Sequence, residues 1–175
     1  MKTDLRVALL SVLLVDTTLR GLWPTERLVT VESLFPGADG EPDIPQAITD
    51  LALPAAVAPI YTRKAPRTAH LPYCTFAFTL REGDVLGLNT GSLIIDVWDY
   101  SPCSDRADSI VRRLRALLHY RSLDVYPTTV GARLFFEADN EVQTGTDNVW
   151  RNSVVFAVRA MDAATLATML TREGG

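Results

Sequence analysis

Residues Ser92–Leu118 read SLIIDVWDYSPCSDRADSIVRRLRALL. Side chains of an extended chain alternate, so the first nine residues put Leu93, Ile95 and Val97 on one side and Ile94, Asp96, Trp98 and Tyr100 on the other. Both sides carry large apolar groups, which predicts a central strand with each face at least partly covered. After Tyr100 the period changes. Ser101 can cap a helix and Pro102 fits its first position, with Asp105 and Asp108 near the positive end and Arg112, Arg113 and Arg115 toward the negative end. Ala107, Ile110, Val111, Leu114, Leu117 and Leu118 then fall on one stripe. Each large apolar residue of that stripe contributes about 1.5 to 3 kcal/mol when fully buried, against a few tenths for an exposed ion pair. The stripe therefore decides how the helix docks.

Working outward, Ala56–Thr62 predicts a short strand. Tyr73–Arg81 predicts a stronger one, with Cys74, Phe76, Phe78 and Leu80 opposite Thr75, Ala77 and Thr79. Ala132–Ala138 alternates Leu134 and Phe136 with Arg133, Phe135 and Glu137. Trp150, Val154, Phe156, Val158 and Ala160 alternate with Arg151, Ser153 and Arg159. These two strands form a long hairpin, and the polar run from Glu137 to Asp147 between them is expected to project as an anionic tip.

Thr3 to about Leu22 predicts an amphipathic helix on Leu5, Ala8, Leu9, Val12, Leu13 and Val15, continued by Leu19 and Leu22 and closed by Gly21 and Pro24. Asp4 and Asp16 flank its apolar run, no small-x-small site follows, and the run is far short of the roughly 20 apolar residues that cross a bilayer. Residues 24–55 form an extended loop or arm containing FPGADGEPDIP, and 163–172 a possible last helix. The expectation is one domain over 1–175. Its class is α/β (an α+β sandwich): a mostly antiparallel sheet of four to five strands packed against an N-terminal and a central helix.

The 175 residues suit one domain with an ample core, and 47% hydrophobic with 22% charged residues is ordinary for a globular chain. A net charge of −4 gives no overall cationic field for holding nucleic acid. Lys2 and Lys64 are the only lysines, so positive charge is carried by arginine, which suits interfaces through its planar, multi-donor head. Cys74 and Cys103 lack the close spacing of a zinc or redox motif and are expected as reduced thiols. His70 and His119 lack metal-ligand spacing, His119 reading instead as a cap at a helix C-terminus. Neither a nucleophile elbow nor a phosphate loop is present. Asp96 and Asp99, three apart on a strand, face opposite ways and cannot share an ion without a bulge. No catalytic residue, metal site or cofactor is expected. Arg63, Lys64 and Arg67 form the one dense basic run, a contact for an acidic partner or passing DNA, or a solvated loop.

The order of these features resembles the tail-terminator (tail-completion, minor tail protein) family of long-tailed bacteriophages. The likeness runs from about Leu5 to Met161: an N-terminal helix, the strand AVAPIY, a variable loop, LPYCTFAF, SLIIDVWDYSP, the helix DRADSIVRRLRALL and the hairpin GARLFFEADNEVQTGTDNVWRNSVVFAVRA. Leu71-Pro72-Tyr73, Asp96-Val97-Trp98 and Trp150 to Val158 are its most specific pieces, and the acidic arm from Val31 to Asp50 departs from the compact family pattern. The resemblance implies a non-enzymatic virion protein, assembled in the host cytoplasm into a ring, usually a hexamer, at the head-proximal end of the tail tube. There it stops tube growth and joins the tail to the head. Implied partners are further copies of itself, the tail-tube protein and the head-completion or stopper protein, with DNA only in transit and no membrane. Candidate partner or lumen contacts are Arg63, Lys64, Arg67, Glu137, Asp139, Glu141 and Asp147. Two other classes stay open: a metal-dependent hydrolase or nuclease using Asp96 or Glu137, and a monomeric adaptor.

Overall fold

The computed structural model describes residues 2–23, 60–65, 67, 69–82, 88–100, 105–125, 129–144 and 149–162. The expected arm, the expected last helix, Ser101, Pro102 and Cys103 lie outside them. Among the described residues three helices, α1 (Lys2–Val15), α2 (Thr17–Arg20) and α3 (Asp105–Leu118), accompany six strands: β1 (Ile60–Thr62), β2 (Tyr73–Glu82), β3 (Leu88–Tyr100), β4 (Ser122–Val125), β5 (Thr129–Gln143) and β6 (Val149–Asp162). All six strands lie in one sheet, in the order β1-β2-β3-β6-β5-β4.

Two points of the expected class change. The sheet has six strands, because SLDV after α3 adds β4 at one edge, and it is mixed, because β1 runs parallel to β2 at the other. Every other pairing is antiparallel. Four residues hold too little alternation to announce a strand, and strand direction is not written in periodicity.

β3 is central, as expected. It pairs with β2 from Asn89 to Trp98 and with β6 along its whole length. Its odd positions Leu93, Ile95 and Val97 are fully buried and continue into Cys74, Phe76 and Phe78 on β2 and Val154, Phe156, Val158 and Ala160 on β6. Ala132 and Leu134 of β5 complete that inner face. Burial of this kind pushes the Cys74 thiol well above its ordinary pKa, so it stays protonated. The even positions of β3 are covered in part: Asp96 and Trp98 are half-buried, whereas Ile94 is 38% and Tyr100 60% exposed.

The helices lie on the inner face. α3 buries Ala107, Ile110, Val111, Leu114 and Leu118 against β3, β5 and β6, with Leu117 partly buried. α1 places Leu5, Leu9, Leu10 and Leu13 in the same core and touches β4 and β2. The single N-terminal helix expected to Leu22 is interrupted at Asp16, whose backbone is extended and whose carboxylate accepts a 2.7 Å hydrogen bond from the Leu19 N–H. Asp competes for backbone donors in this way, which is why it ends one helix and caps the next.

Gly91 lies close against β2: a Cβ there would stand 1.8 Å from the Thr79 carbonyl oxygen. Gly91→Ala is expected to cost more than about 2 kcal/mol, since backbone rather than a flexible side chain must yield. Ser92→Ala next to it should stay within about 0.5 kcal/mol. Leu114→Ala, emptying the middle of the α3 stripe, should cost about 2 to 5 kcal/mol. Urea unfolding midpoints of the three variants check this order.

Candidate functional site

Among the described residues two surfaces carry the exposed chemistry: the outer face of the sheet and a cleft beside α3. Of the groups that could serve catalysis, Asp96, Asp99 and His119 have partners within the fold, while Glu137 is exposed on β5. Asp99, 1% exposed, receives the Arg106 guanidinium on both oxygens, Nε at 2.8 Å, and the Tyr100 N–H. Asp96 stands on the outer face and accepts a hydrogen bond from the Ser153 hydroxyl. The two carboxylates therefore do lie on opposite faces of β3. His119 follows the end of α3, but its Nδ1 accepts the Phe136 N–H at 2.9 Å. Rather than capping helix carbonyls as a cation, it serves as the partner for a strand amide. Among the described residues no group of three His, Cys, Asp or Glu is placed to hold a metal ion, and no described helix is long and apolar enough to cross a membrane.

The hairpin differs from the expected projecting tip. Glu137, Asp139 and Glu141 belong to β5, which pairs with β6 as far as Gln143 opposite Trp150; Asp147 lies outside the described residues. Polar side chains on both faces hid this strand extension from the alternation test. Between Phe136 and Ala138 the register slips by one residue at Glu137. Such a bulge reverses which face later residues take. Before it, Arg133 and Phe135 sit on the outer face opposite Arg159 and Ala157; beyond it, Asp139 and Glu141 pair with Val154 and Asn152 on the helix side.

There Asp139 and Glu141 line a cleft of about 400 Å³ with Asp108, Arg112, Arg115 and Asn152. Arg115 lies over the Phe136 ring, 4.2 Å from its centre, and no ion pair joins these carboxylates to Arg112 or Arg115. The Asn152 Oδ1 is buried without a donor among the described residues. Arg63, Lys64 and Arg67 are exposed beside β1, at the opposite edge of the sheet. Arg63 has a left-handed backbone (φ 64°) and donates its N–H to the Phe76 carbonyl at 2.8 Å. The structure thus brings the acidic candidates to one edge and leaves the basic ones at the other.

The outer face holds residues that the sequence did not single out. Register aligns Arg81, Thr90, Arg159 and Arg133 in one row across β2, β3, β6 and β5, and all three arginines are exposed. Arg159 lies over Phe135 at 5.2 Å, and Tyr120 meets that ring edge-on. Tyr120 is 69% exposed and left-handed (φ 61°), a conformation that costs a non-glycine residue about 1 to 2 kcal/mol. At the far end of the same face Trp98 is stacked by Tyr73 and overlain by Arg151. Each arginine had been visible as a polar member of an alternating strand; only the register makes them a row.

No protein-family profile matches the chain, and no curated protein matches it in sequence. Among solved structures, a chain of a native gene transfer agent (GTA) virion particle is similar over 67% of this chain and 90% of its own length, with 18% identity and a TM-score of 0.48. That likeness is too distant to carry fold or function.

One interaction of the inner side has a pH signature. Arg113 of α3 grips both oxygens of Asp16, and this hydrogen bonding holds the Asp16 carboxyl below its ordinary pKa. The unfolded chain then binds the proton more readily, so the contribution is complete above the ordinary carboxylate pKa near 4 and is lost as pH falls through the lower folded value. Asp16→Asn keeps a capping oxygen but removes the charge. Its stability should change less than that of the unaltered chain between pH 4 and pH 2, measured by urea unfolding at a series of pH values.

Proposed function

We propose that the chain is a structural subunit of a phage-like virion, which closes into a ring at the head-proximal end of a tail tube, ends tube growth and offers the surface for head joining. The observation that carries this reading is the one-sided sheet. Among the described residues all three helices pack on the inner face, and the outer face presents Ile94, Tyr100 and a row of arginines to the outside. A domain normally covers both faces of a mixed sheet or leaves one polar. A face with exposed aliphatic and aromatic groups among unpaired cations is suited to another protein surface.

The element order supports the same reading: helix, short strand, LPYCTFAF strand, DVW strand, helix and hairpin, joined in one sheet, as the family resemblance requires. On this proposal the partners are further copies, a tail-tube protein and a head-completion protein, DNA passes through without being held, and the chain works without turnover. The structural occupation of Asp96, Asp99 and His119 favours that role over a hydrolase.

The purified chain is expected to form rings, alone or on the ends of tail tubes, in light scattering and negative-stain images. A strict monomer that neither closes into rings nor caps tubes would overturn the proposal in favour of an adaptor. DNA cleavage with magnesium or manganese, abolished by Asp96→Ala, would overturn it in favour of a nuclease.

A further inference from the structure

Among the described residues the charged surfaces do not satisfy one another. Arg133 and Arg159 are direct cross-strand neighbours, a like-charge pairing that destabilises a sheet, and Arg81 extends the row two strands further. None of the three has an ion-pair partner among the described residues. Among the same described residues the exposed carboxylates of Glu137, Asp139 and Glu141 have no ion-pair partner either. Six residues of strand separate Arg133 from Asp139, about 20 Å, beyond the screening length of about 8 Å at physiological salt. The bulge also turns Asp139 and Glu141 to the other face. Within one chain the two patches cannot meet.

We infer that the arginine row on the outer face of one copy docks on the acidic β5 edge and α3 cleft of the next copy; this deepens the ring reading and rests on it. The cleft offers three carboxylates, Asp108, Asp139 and Glu141, against two guanidiniums. A planar guanidinium with five donors fits such a carboxylate-lined groove. Tyr120 and Phe135, rigid aromatics beside the row, supply the apolar part of the contact. Unlike surfaces joined head to tail form a heterologous interface, the kind that closes into rings.

Nucleic acid is the other anionic occupant to consider, and the two aromatics that lie against the arginines of this face, Trp98 and Phe135, argue against it. Stacking on bases needs free ring faces. Trp98 is already held between Tyr73 and Arg151, and Phe135 lies under Arg159.

The experiment is a charge exchange read by sedimentation velocity at low and high salt. R133E/R159E and D139R/E141R are each expected to associate at least tenfold more weakly than the unaltered chain. Mixed one to one, they should recover association, because each supplies the surface complementary to the other. Circular dichroism and urea midpoints confirm that both are folded; should one not fold, the other with R81E alone carries the comparison. Association of the variants at the level of the unaltered chain would overturn this interface and leave the ring reading standing. Failure of the mixture to recover would overturn the pairing of these two patches. An unaltered chain that never self-associates, with or without tail tubes, would sink both. Retention of a single-stranded oligonucleotide that is lost in R133E/R159E, with association unchanged, would assign the row to nucleic acid.

Discussion

The rest of the structure depends on α3 lying across the middle of the sheet. Its buried stripe touches β3, β5 and β6 at once, which joins strands that are distant in sequence. Three polar contacts then fix where the helix lies. Arg106 holds Asp99 at the end of β3, Arg113 holds Asp16 at the break between α1 and α2, and the His119 ring meets the Phe136 amide of β5. The stripe supplies most of the stabilisation, since each large buried side chain contributes more than an ion pair at the surface. The polar contacts choose among placements that burial alone would leave nearly equivalent.

The Asp99–Arg106 pair differs in kind from the other two. Its carboxylate is almost fully buried while the guanidinium is 43% exposed. Desolvating the acid is costly, and the bidentate contact offsets that cost without exceeding it by much. Such a pair adds little net stability, but losing the arginine would strand a charge in the core. Its hydrogen bond to Asp99 raises the Arg106 pKa, which reinforces a charge that an arginine already keeps throughout the neutral range.

Legibility in the sequence followed how local each signal was. The α3 stripe, the central position of β3 and the strands around Phe76 and Phe156 were readable because burial on one face imposes a period. β4 was too short to show one. The outer half of β5 carries polar groups on both faces, so Glu137–Gln143 read as a loop when it is paired strand. The parallel direction of β1 follows from the path of the chain, not from its side chains. Of the candidate contacts, the acidic residues were legible as charges, but their place beside α3 was not, and the arginine row requires the register of four strands.

That register turns on one residue. Arg133, Phe135, Glu137, Asp139 and Glu141 share a parity, and an unbroken strand would carry them all on the outer face, acids and arginine side by side along one edge. The slip at Glu137 divides them. Arg133 and Phe135 stay with the outer row, while Asp139 and Glu141 pass to the helix side beside Asp108. A bulge costs a ladder hydrogen bond and survives where it re-aims side chains to some effect. The His119 Nδ1 meets the Phe136 N–H directly before the slip, which satisfies a backbone donor at the point where the strand bends. The same helix end that closes α3 thereby supports the bulge. The separation of charge on β5 is thus built into the packing of the core, and it gives a small, mildly acidic domain two unlike ends.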